Sequence, residues 1–368
     1  MTTTPNRQPL SLERAEDILA YIPHALGFHP ERSVVLLLMV ERKLEATLRV
    51  DLPKDEEPGE EQRWVVQVCE MLGRLPGLTS VLCAIFPDHG SARGGQLPWN
   101  SLLQYLAPAL EEQGTPLCQA WCQGDGQVWD YLSTAQDHGC FDLSHPELNP
   151  TSLRMVLAGS APLSQPWDGQ GVPEWSNAAQ VRSLLEAMGG DCLDSLDMWA
   201  AVLGADPYSA EQLMRKDPTV PARLIRGLDL RMVRDILPYM AGVGTTAAVE
   251  AVACLGKGKK DGAVAGLSEF LLGRGPHSPR WDRIDHLWYI CRDLLGVAQG
   301  SRRAALLCLM AWVEWAKGRG SMSMALLRSA LAVEPDYRLA QLLEQLLLRG
   351  IMPQWATDPS RAWRAKFD

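Results

Sequence analysis

The sequence predicts an α+β or α/β fold, with an N-terminal mixed β-sheet flanked by helices and an all-helical C-terminal domain. Two patterns carry this prediction: short apolar segments alternate with helical periodicities in the first half, and strand patterns then disappear. A chain of 368 residues is also long enough for two separate cores. We therefore expect an α/β domain at 1–148, a linker rich in Pro and Gly at 149–176, and a helical domain at 177–368.

The first elements are a helix and a β-hairpin. Apolar residues at helical spacing predict a helix from Ser11, its N-cap, to Leu26, and Pro23 is expected to kink or end it. Residues 33–40 are apolar without alternation, which indicates a strand buried on both faces. Apolar and polar residues alternate over 44–50, so this segment is a half-exposed strand, and the three-residue gap before it predicts a hairpin.

The next elements alternate between helices and strands. Periodic apolar positions predict helices over 65–75 and 99–110, and apolar runs predict strands over 79–86 and 116–122. A Gly-Asp-Gly turn then leads into a strand at 127–132. Helices that separate strands in this order indicate a mixed sheet covered by helices.

From residue 177 onward the pattern is helical, and the expected stops include Gly204, Gly227, Gly273 and Gly318. The predicted helices are 178–188, 192–203, 209–215, 219–226, 229–241, 245–254, 261–272, 282–296, 303–317, 322–333 and 337–348.

The last sixty residues carry the clearest functional pattern. Ser323, Leu327, Ala330 and Pro335 follow Gly318 at offsets that match the second half of a tetratricopeptide-like (TPR-like) helical hairpin. Small residues let two helices approach, and the proline stops the second one. Hairpins of this kind stack into arrays that bind other proteins, so the pattern indicates an interaction role.

Composition limits the partners and the location. A net charge of −9 and a pI of about 5.4 disfavour nucleic acid and anionic membranes as partners. The basic stretch 215–260 is interleaved with aspartates, so we expect an exposed helix surface there, with a nucleic-acid patch as the alternative. The longest apolar run, 34–40, is far shorter than the ~20 residues that span a bilayer. Nine cysteines without an export signal indicate a reduced, cytoplasmic protein.

The loop after the predicted strand 79–86 is the best candidate for a ligand site. It carries Asp88, His89, Ser91 and Arg93 among several glycines. Ligands of open α/β sheets bind beyond the carboxyl ends of strands, where Arg93 could hold an anion and His89 could move a proton. The alternative is an ordinary turn, because the same residue types form any loop.

Other chemical motifs give no positive prediction. The thiols Cys118, Cys122 and Cys140 with His138 do not have a standard zinc spacing, and spacing alone does not decide whether they meet. The sequence contains no Walker, nucleophile-elbow or dinucleotide-binding motif. We therefore predict no metal, no cofactor and no catalytic residue. His24 is expected to cap the first helix or to meet solvent.

The C-terminal tail, defined as residues 351–368, holds Trp355 and Trp363. The sequence has thirteen tryptophans, and these two are expected to be the more exposed ones. Tryptophan is enriched at binding hot spots, so both are candidates for contact with a partner. The alternative is a strap that packs on its own domain.

Two segments resemble a bacterial family. The first is Asp17 to Ser33, DILAYIPHALGFHPERS, followed by Val-Val-Leu, and the second is the pattern Ala311-Trp312 to Pro353. Both are similar to the ends of domain of unknown function 4192, so the resemblance spans nearly the whole chain. The cysteine-rich patch that this family implies after Trp129-Asp130-Tyr131 is reduced here to Cys140. The resemblance supports the architecture and implies no reaction, substrate or catalytic residue.

Our leading interpretation is a non-enzymatic cytoplasmic protein that binds an unidentified protein partner, or regulates one, through its helical C-terminal domain. The alternative is a small-molecule-binding protein or enzyme that uses the Asp88–Gly95 loop. A third interpretation is nucleic-acid binding through the 215–260 stretch.

Overall fold

The structure is a computed structural model, and its residues group into two compact units. The first contains residues 1–166 with 357–360 and 364–368, and the second contains residues 167–356 with 361–363. The described residues are 13–54, 58–75, 77–88, 97–135, 139–157, 159–189, 194–256, 262–276, 278–358 and 360–366.

The first unit contains a six-stranded mixed sheet with helices. Its elements are α1 (Ala15–Leu26), β1 (Ser33–Val40), β2 (Lys43–Asp51), α2 (Pro58–Leu72), β3 (Ser80–Phe86), α3 (Asn100–Glu112), β4 (Leu117–Gly124), β5 (Gln127–Asp130), β6 (Phe141–Asp142) and α4 (Pro150–Leu157).

The strands lie in the order β2-β1-β3-β4-β5-β6. β3 and β4 are parallel, and every other neighbouring pair is antiparallel. A helix, α3, joins the parallel pair, as a parallel connection requires. The predicted mixed sheet is confirmed. β1 is buried from Ser33 to Leu38 and pairs with β2 on one edge and with β3 on the other.

Two tight turns shape the sheet. Val40 pairs with Lys43, so the first hairpin has a two-residue turn at Glu41-Arg42, and the predicted three-residue gap is wrong by one residue. The second turn is Asp125-Gly126, where both φ angles are positive, at 50° and 76°. This is the type I′ geometry whose twist matches that of an antiparallel pair.

The two ends of the first unit differ from the sequence prediction. α1 starts at Ala15 with Arg14 before it, and Ser11 lies outside the described residues. Pro23 does not end the helix, which continues for three residues to Gly27. The helix α4 was not predicted, since its eight residues begin with a proline and lack a clear period. It packs against α1 through its one buried face.

Helices are the only regular secondary structure among the described residues of the second unit. Its helices are α5 (Ala178–Ala187), α6 (Ser195–Gly204), α7 (Pro207–Lys216), α8 (Thr219–Gly227), α9 (Arg231–Gly242), α10 (Thr245–Gly256), α11 (Gly262–Leu271), α12 (Trp281–Leu294), α13 (Gly300–Ala316), α14 (Gly320–Val333) and α15 (Arg338–Leu348). All eleven match a predicted helix to within three residues at each end.

The centre of the second unit is α13. Every residue from Ala304 to Ala316 is buried, because α9, α12, α14 and α15 all contact this helix. The prediction that neighbours cover more than one of its faces is confirmed. α14 packs closely along it, and Ser323 donates a hydrogen bond to the Ala311 carbonyl at 2.7 Å. Among the described helices, none is both long enough and apolar enough to cross a membrane.

Candidate functional site

The loop after β3 is described only at its start. Asp88 is exposed and pairs with Arg32, with 3.3 Å between Oδ2 and Nη1. His89, Ser91 and Arg93 lie outside the described residues. The structure therefore joins Asp88 to a basic residue from the segment before β1 and leaves the rest of the predicted ligand loop as a hypothesis.

The tail tryptophans pack on the helical unit. Trp355 is 0% exposed, and its Nε1 donates to the Ala316 carbonyl at 2.8 Å. Its ring lies 5.3 Å from that of Phe270 and 6.5 Å from that of Trp281. The expectation that Trp355 is exposed is wrong, because its ring fills the space between helices and its N–H satisfies an orphan carbonyl at the end of α13.

Trp363 is partly buried over a group of charged side chains. Its Nε1 donates to the Asp285 carboxylate at 3.1 Å, and its ring lies 4.3 Å from the Arg319 guanidinium carbon and 5.2 Å from the Lys317 amine. Lys317 pairs with Asp285 at 2.8 Å and with Glu314 at 3.3 Å. Trp363 is thus held by a hydrogen bond and by cation–π contacts, as in the strap interpretation.

This group of charged side chains is almost completely shielded from solvent. The side chains of Lys317 and Glu314 are only 6% and 3% exposed, and Arg319 is 13% exposed. Buried charges of opposite sign persist when they neutralise one another, and removing one leaves the others uncompensated. Sequence reasoning missed the group, although a lone glutamate near the end of the apolar helix α13 was a usable signal.

In the second unit, α15 carries an apolar surface that fits an interaction role. We define the leucine stripe as Leu339, Leu342 and Leu346, which lie on one side of the helix at heptad spacing. Leu342 is 44% exposed, and the other two are partly buried against the core. α15 contacts α13 and α14 with the neighbouring side, where Ala340 is its one fully buried residue.

A second exposed apolar surface lies in the first unit, on α4. Leu153, Val156 and Leu157 are 47%, 52% and 88% exposed and share one side of the helix. Thr151, Ser152 and Met155 on the other side are buried. This exposed apolar surface on α4 can serve as a control for the apolar surface on α15.

Several described arginines of the basic stretch 215–260 form ion pairs within the molecule. Arg226 and Arg302 each pair with Asp229 at 2.7 Å. Burial opposes ionisation of Asp229, but the hydrogen bonds from Arg302 and Arg226 outweigh it and hold the pKa of this carboxyl below its ordinary value. Arg234 is buried and pairs with Asp235 at 2.6 Å. Arginines that are committed in this way are poor phosphate contacts.

The candidate zinc ligands are separated along β4. Cys118 is exposed, whereas Cys122 is buried four residues further on, and His138 lies outside the described residues. Burial raises the pKa of the Cys122 thiol to about 11 and that of the Cys83 thiol still further. Both thiols therefore stay protonated near neutral pH and are unreactive. In the part of the chain that the structure describes, no three His, Cys, Asp or Glu side chains are placed to share a metal ion.

His24 neither caps α1 nor meets solvent. It is 3% exposed, and its ring nitrogens lie 2.9 Å from the hydroxyls of Ser152 and Ser160. A histidine bonded at both nitrogens to buried serines ties α1 to α4 and to the segment after α4. The expected location was wrong because the serines lie more than 120 residues away in sequence.

Comparison with known proteins identifies a family but no reaction or ligand. The search among curated proteins gave no match, and neither did the search among solved structures. One family model matches residues 16–354, which is nearly the whole chain and includes both segments that suggested the resemblance. The chain therefore belongs to the family described as domain of unknown function, DUF4192.

Proposed function

We propose that the protein is a non-enzymatic cytoplasmic interaction module, and that its helical C-terminal region binds a helix of a partner protein through the leucine stripe of α15. The observation that carries the proposal is the mismatch between composition and burial in α15. Six of its eleven residues are leucine, yet Ala340 is its one fully buried residue. A terminal helix of a helical array normally turns a polar face outward, because nothing covers it.

The shape of the leucine stripe favours a helical partner. Leu339, Leu342 and Leu346 repeat at intervals of three and four residues, which is the spacing at which two helices interlock their side chains. The α13–α14 hairpin provides the frame, since Ser323 and Ala330 of α14 are buried and Ser323 donates to the Ala311 carbonyl of α13. The likeness of this hairpin to TPR units supports the same role by analogy.

The test compares two matched surface variants. In Leu342→Glu/Leu346→Glu, charges replace the centre of the leucine stripe. In Leu153→Glu/Leu157→Glu, the same charges enter the exposed side of α4. Each tagged protein captures partners from its native host, and the bound proteins are identified by mass spectrometry. Circular dichroism and thermal melting check that both variants fold.

We expect at least one captured protein that binds to the wild type and to the α4 variant but does not bind to the α15 variant. If the α4 variant loses the partner instead, binding belongs to the first unit. If both variants retain every protein that the wild type captures, the leucine stripe has no binding role. Either result contradicts the proposal.

A second candidate function is ligand binding in the Asp88–Gly95 loop. β3 and β4 are the parallel pair of the sheet, so their carboxyl ends meet at one edge, where open α/β sheets bind ligands. Asp88 follows β3 at that edge, and Pro87 lies close to Gly124 at the end of β4. A compound that raises the melting temperature of the wild type and leaves that of His89→Ala unchanged would support this function.

A further inference from the structure

Residues 167–173, which we call the Trp-Asp-Gly segment, form no helix or strand and pack on helices of the second unit. The ring of Trp167 lies 5.5 Å from that of Trp288 on α12. The Trp167 backbone N–H donates to the Met322 sulfur on α14 at 3.3 Å. Val172 is partly buried against the same core. The segment is therefore held by several helices, although it belongs to none of them.

The centre of the segment is Gly169, which is buried against α13. Its φ is 84°, and a Cβ at this position would lie 2.3 Å from Cδ2 of the core residue Leu307. Arg303 donates from Nη2 to the Gly169 carbonyl at 2.9 Å and from Nη1 to the Leu295 carbonyl at 2.7 Å. The helices thus bind the carbonyl of this residue and leave no room for a side chain, so they select glycine.

The segment also braces its own shape. Asp168 accepts at Oδ1 from the Gln170 backbone N–H at 2.9 Å, and Trp167 donates from Nε1 to the Gln170 carbonyl at 2.8 Å. These two bonds close a short turn without any group from the helices. A turn that is already ordered loses little conformational entropy when it docks, so it can bind as a unit.

We propose that α12, α13 and α14 form a recognition site for a Trp-Asp-Gly turn, and that the chain's own segment occupies this site in cis and inhibits it. The competing ligand is a turn of another protein that presents an indole and, two residues later, a glycine with a positive φ. A segment of the same chain competes at a high effective concentration, so the site opens to a partner only when the segment leaves. The site is separate from the leucine stripe and does not depend on its function.

The test is fluorescence anisotropy of a labelled synthetic peptide, Gln-Pro-Trp-Asp-Gly-Gln-Gly-Val-Pro, which has the sequence of residues 165–173. In the intact chain, Gly169→Ala sets a methyl group against Leu307 and releases the segment in cis. This variant should bind the peptide saturably and at least about tenfold more tightly than the wild type does. The control Gln170→Ala changes an exposed side chain and should bind like the wild type.

Two further changes identify the site. Adding Arg303→Gln to Gly169→Ala should weaken peptide binding at least about tenfold, because it removes a charge-assisted hydrogen bond to the glycine carbonyl. A peptide that carries alanine in place of its first glycine should not bind to any of these proteins. Circular dichroism checks that each variant folds. If folded Gly169→Ala does not bind the peptide, or binds the alanine peptide equally well, the proposal is wrong.

A measurement on the wild type keeps the test independent of folding defects. Hydrogen exchange of residues 167–173 is followed by mass spectrometry as peptide is added in excess. We expect the peptide to displace the segment and to accelerate its exchange, while α13 stays protected and the alanine peptide has no effect. Exchange of the segment that is unchanged by the peptide, or that accelerates only together with α13, would show a fixed part of the core and overturn the proposal.

Discussion

Replacement of Trp355 by alanine distinguishes a structural strap from a docking segment. The structure gives Trp355 two roles in the helical unit: its ring packs against Phe270, and its Nε1 satisfies the Ala316 carbonyl at the end of α13. Trp355→Ala removes both and leaves a cavity. If the tail instead leaves the domain in order to bind a partner, the same change has little effect on the stability of the free protein.

The size of the effect follows from the burial. Truncation of a fully buried Trp to Ala costs about 3–5 kcal/mol. For a unit of this size each kcal/mol lowers the melting temperature by about 2–4 °C, so Trp355→Ala should lower it by roughly 6–20 °C. Trp355→Phe keeps most of the ring volume and loses the hydrogen bond, so we expect a loss of about 1–2 kcal/mol.

The assay is thermal unfolding followed by circular dichroism, with urea unfolding as a second measurement. Tyr208→Ala is the control, because this aromatic side chain is 72% exposed and its removal should change stability by less than about 0.5 kcal/mol. Melting temperatures for Trp355→Ala and Tyr208→Ala that fall within 2 °C of each other would refute the strap assignment.

Three further predictions concern other parts of the chain. Glu314→Gln should destabilise the protein by about 3–5 kcal/mol in urea unfolding, because it leaves Lys317 and Arg319 buried without this carboxylate. As a control, a Glu→Gln change at an exposed glutamate should have little effect on stability. Burial lowers the pKa of His286 below its ordinary 6.5, so the unfolded chain binds the proton first. The stability contributed by the neutral ring is therefore complete above pH 6.5 and is lost as the pH falls through the lower folded-state pKa. The unfolding midpoints measured at pH 7.5 and at pH 5.5 should then differ less in His286→Gln than in the wild type. Limited proteolysis should cut first within the proposed linker 149–176, at its exposed residues after α4, and a first cut elsewhere would contradict the proposed domain boundary.

Sequence reasoning predicted the helical half well because each helix carries its own boundaries. Gly204, Gly227 and Gly318 each mark the end of a helix within two residues. Periodic apolar positions then fix the face that packs, as in α13 and α14. The sheet was also predictable, since β1 has a continuous apolar run and β2 an alternating one. These are local patterns, and the fold follows them.

The unpredicted features depend on contacts between residues that are distant in sequence. His24 meets serines that follow by 128 and 136 residues, so its burial cannot be inferred from α1 alone. The high tryptophan content has a similar explanation. Several tryptophans place the ring in the core and donate Nε1 to a distant backbone carbonyl, as Trp312 does to Leu271 and Trp315 to Ile351. Composition gives the number of tryptophans, but only the fold shows which carbonyls they satisfy.

The burial of Trp355 moves the interaction hypothesis to another surface. A partner that used this ring would have to break its packing and its hydrogen bond before gaining any contact, and the 3–5 kcal/mol of that packing would be subtracted from the affinity. Leu342 carries no such penalty, because it is already 44% exposed. If the helical unit binds a protein, Leu342→Glu should therefore reduce binding with little loss of stability. Trp355→Ala should reduce stability with little direct effect on binding, and these opposite outcomes separate a binding surface from a structural one.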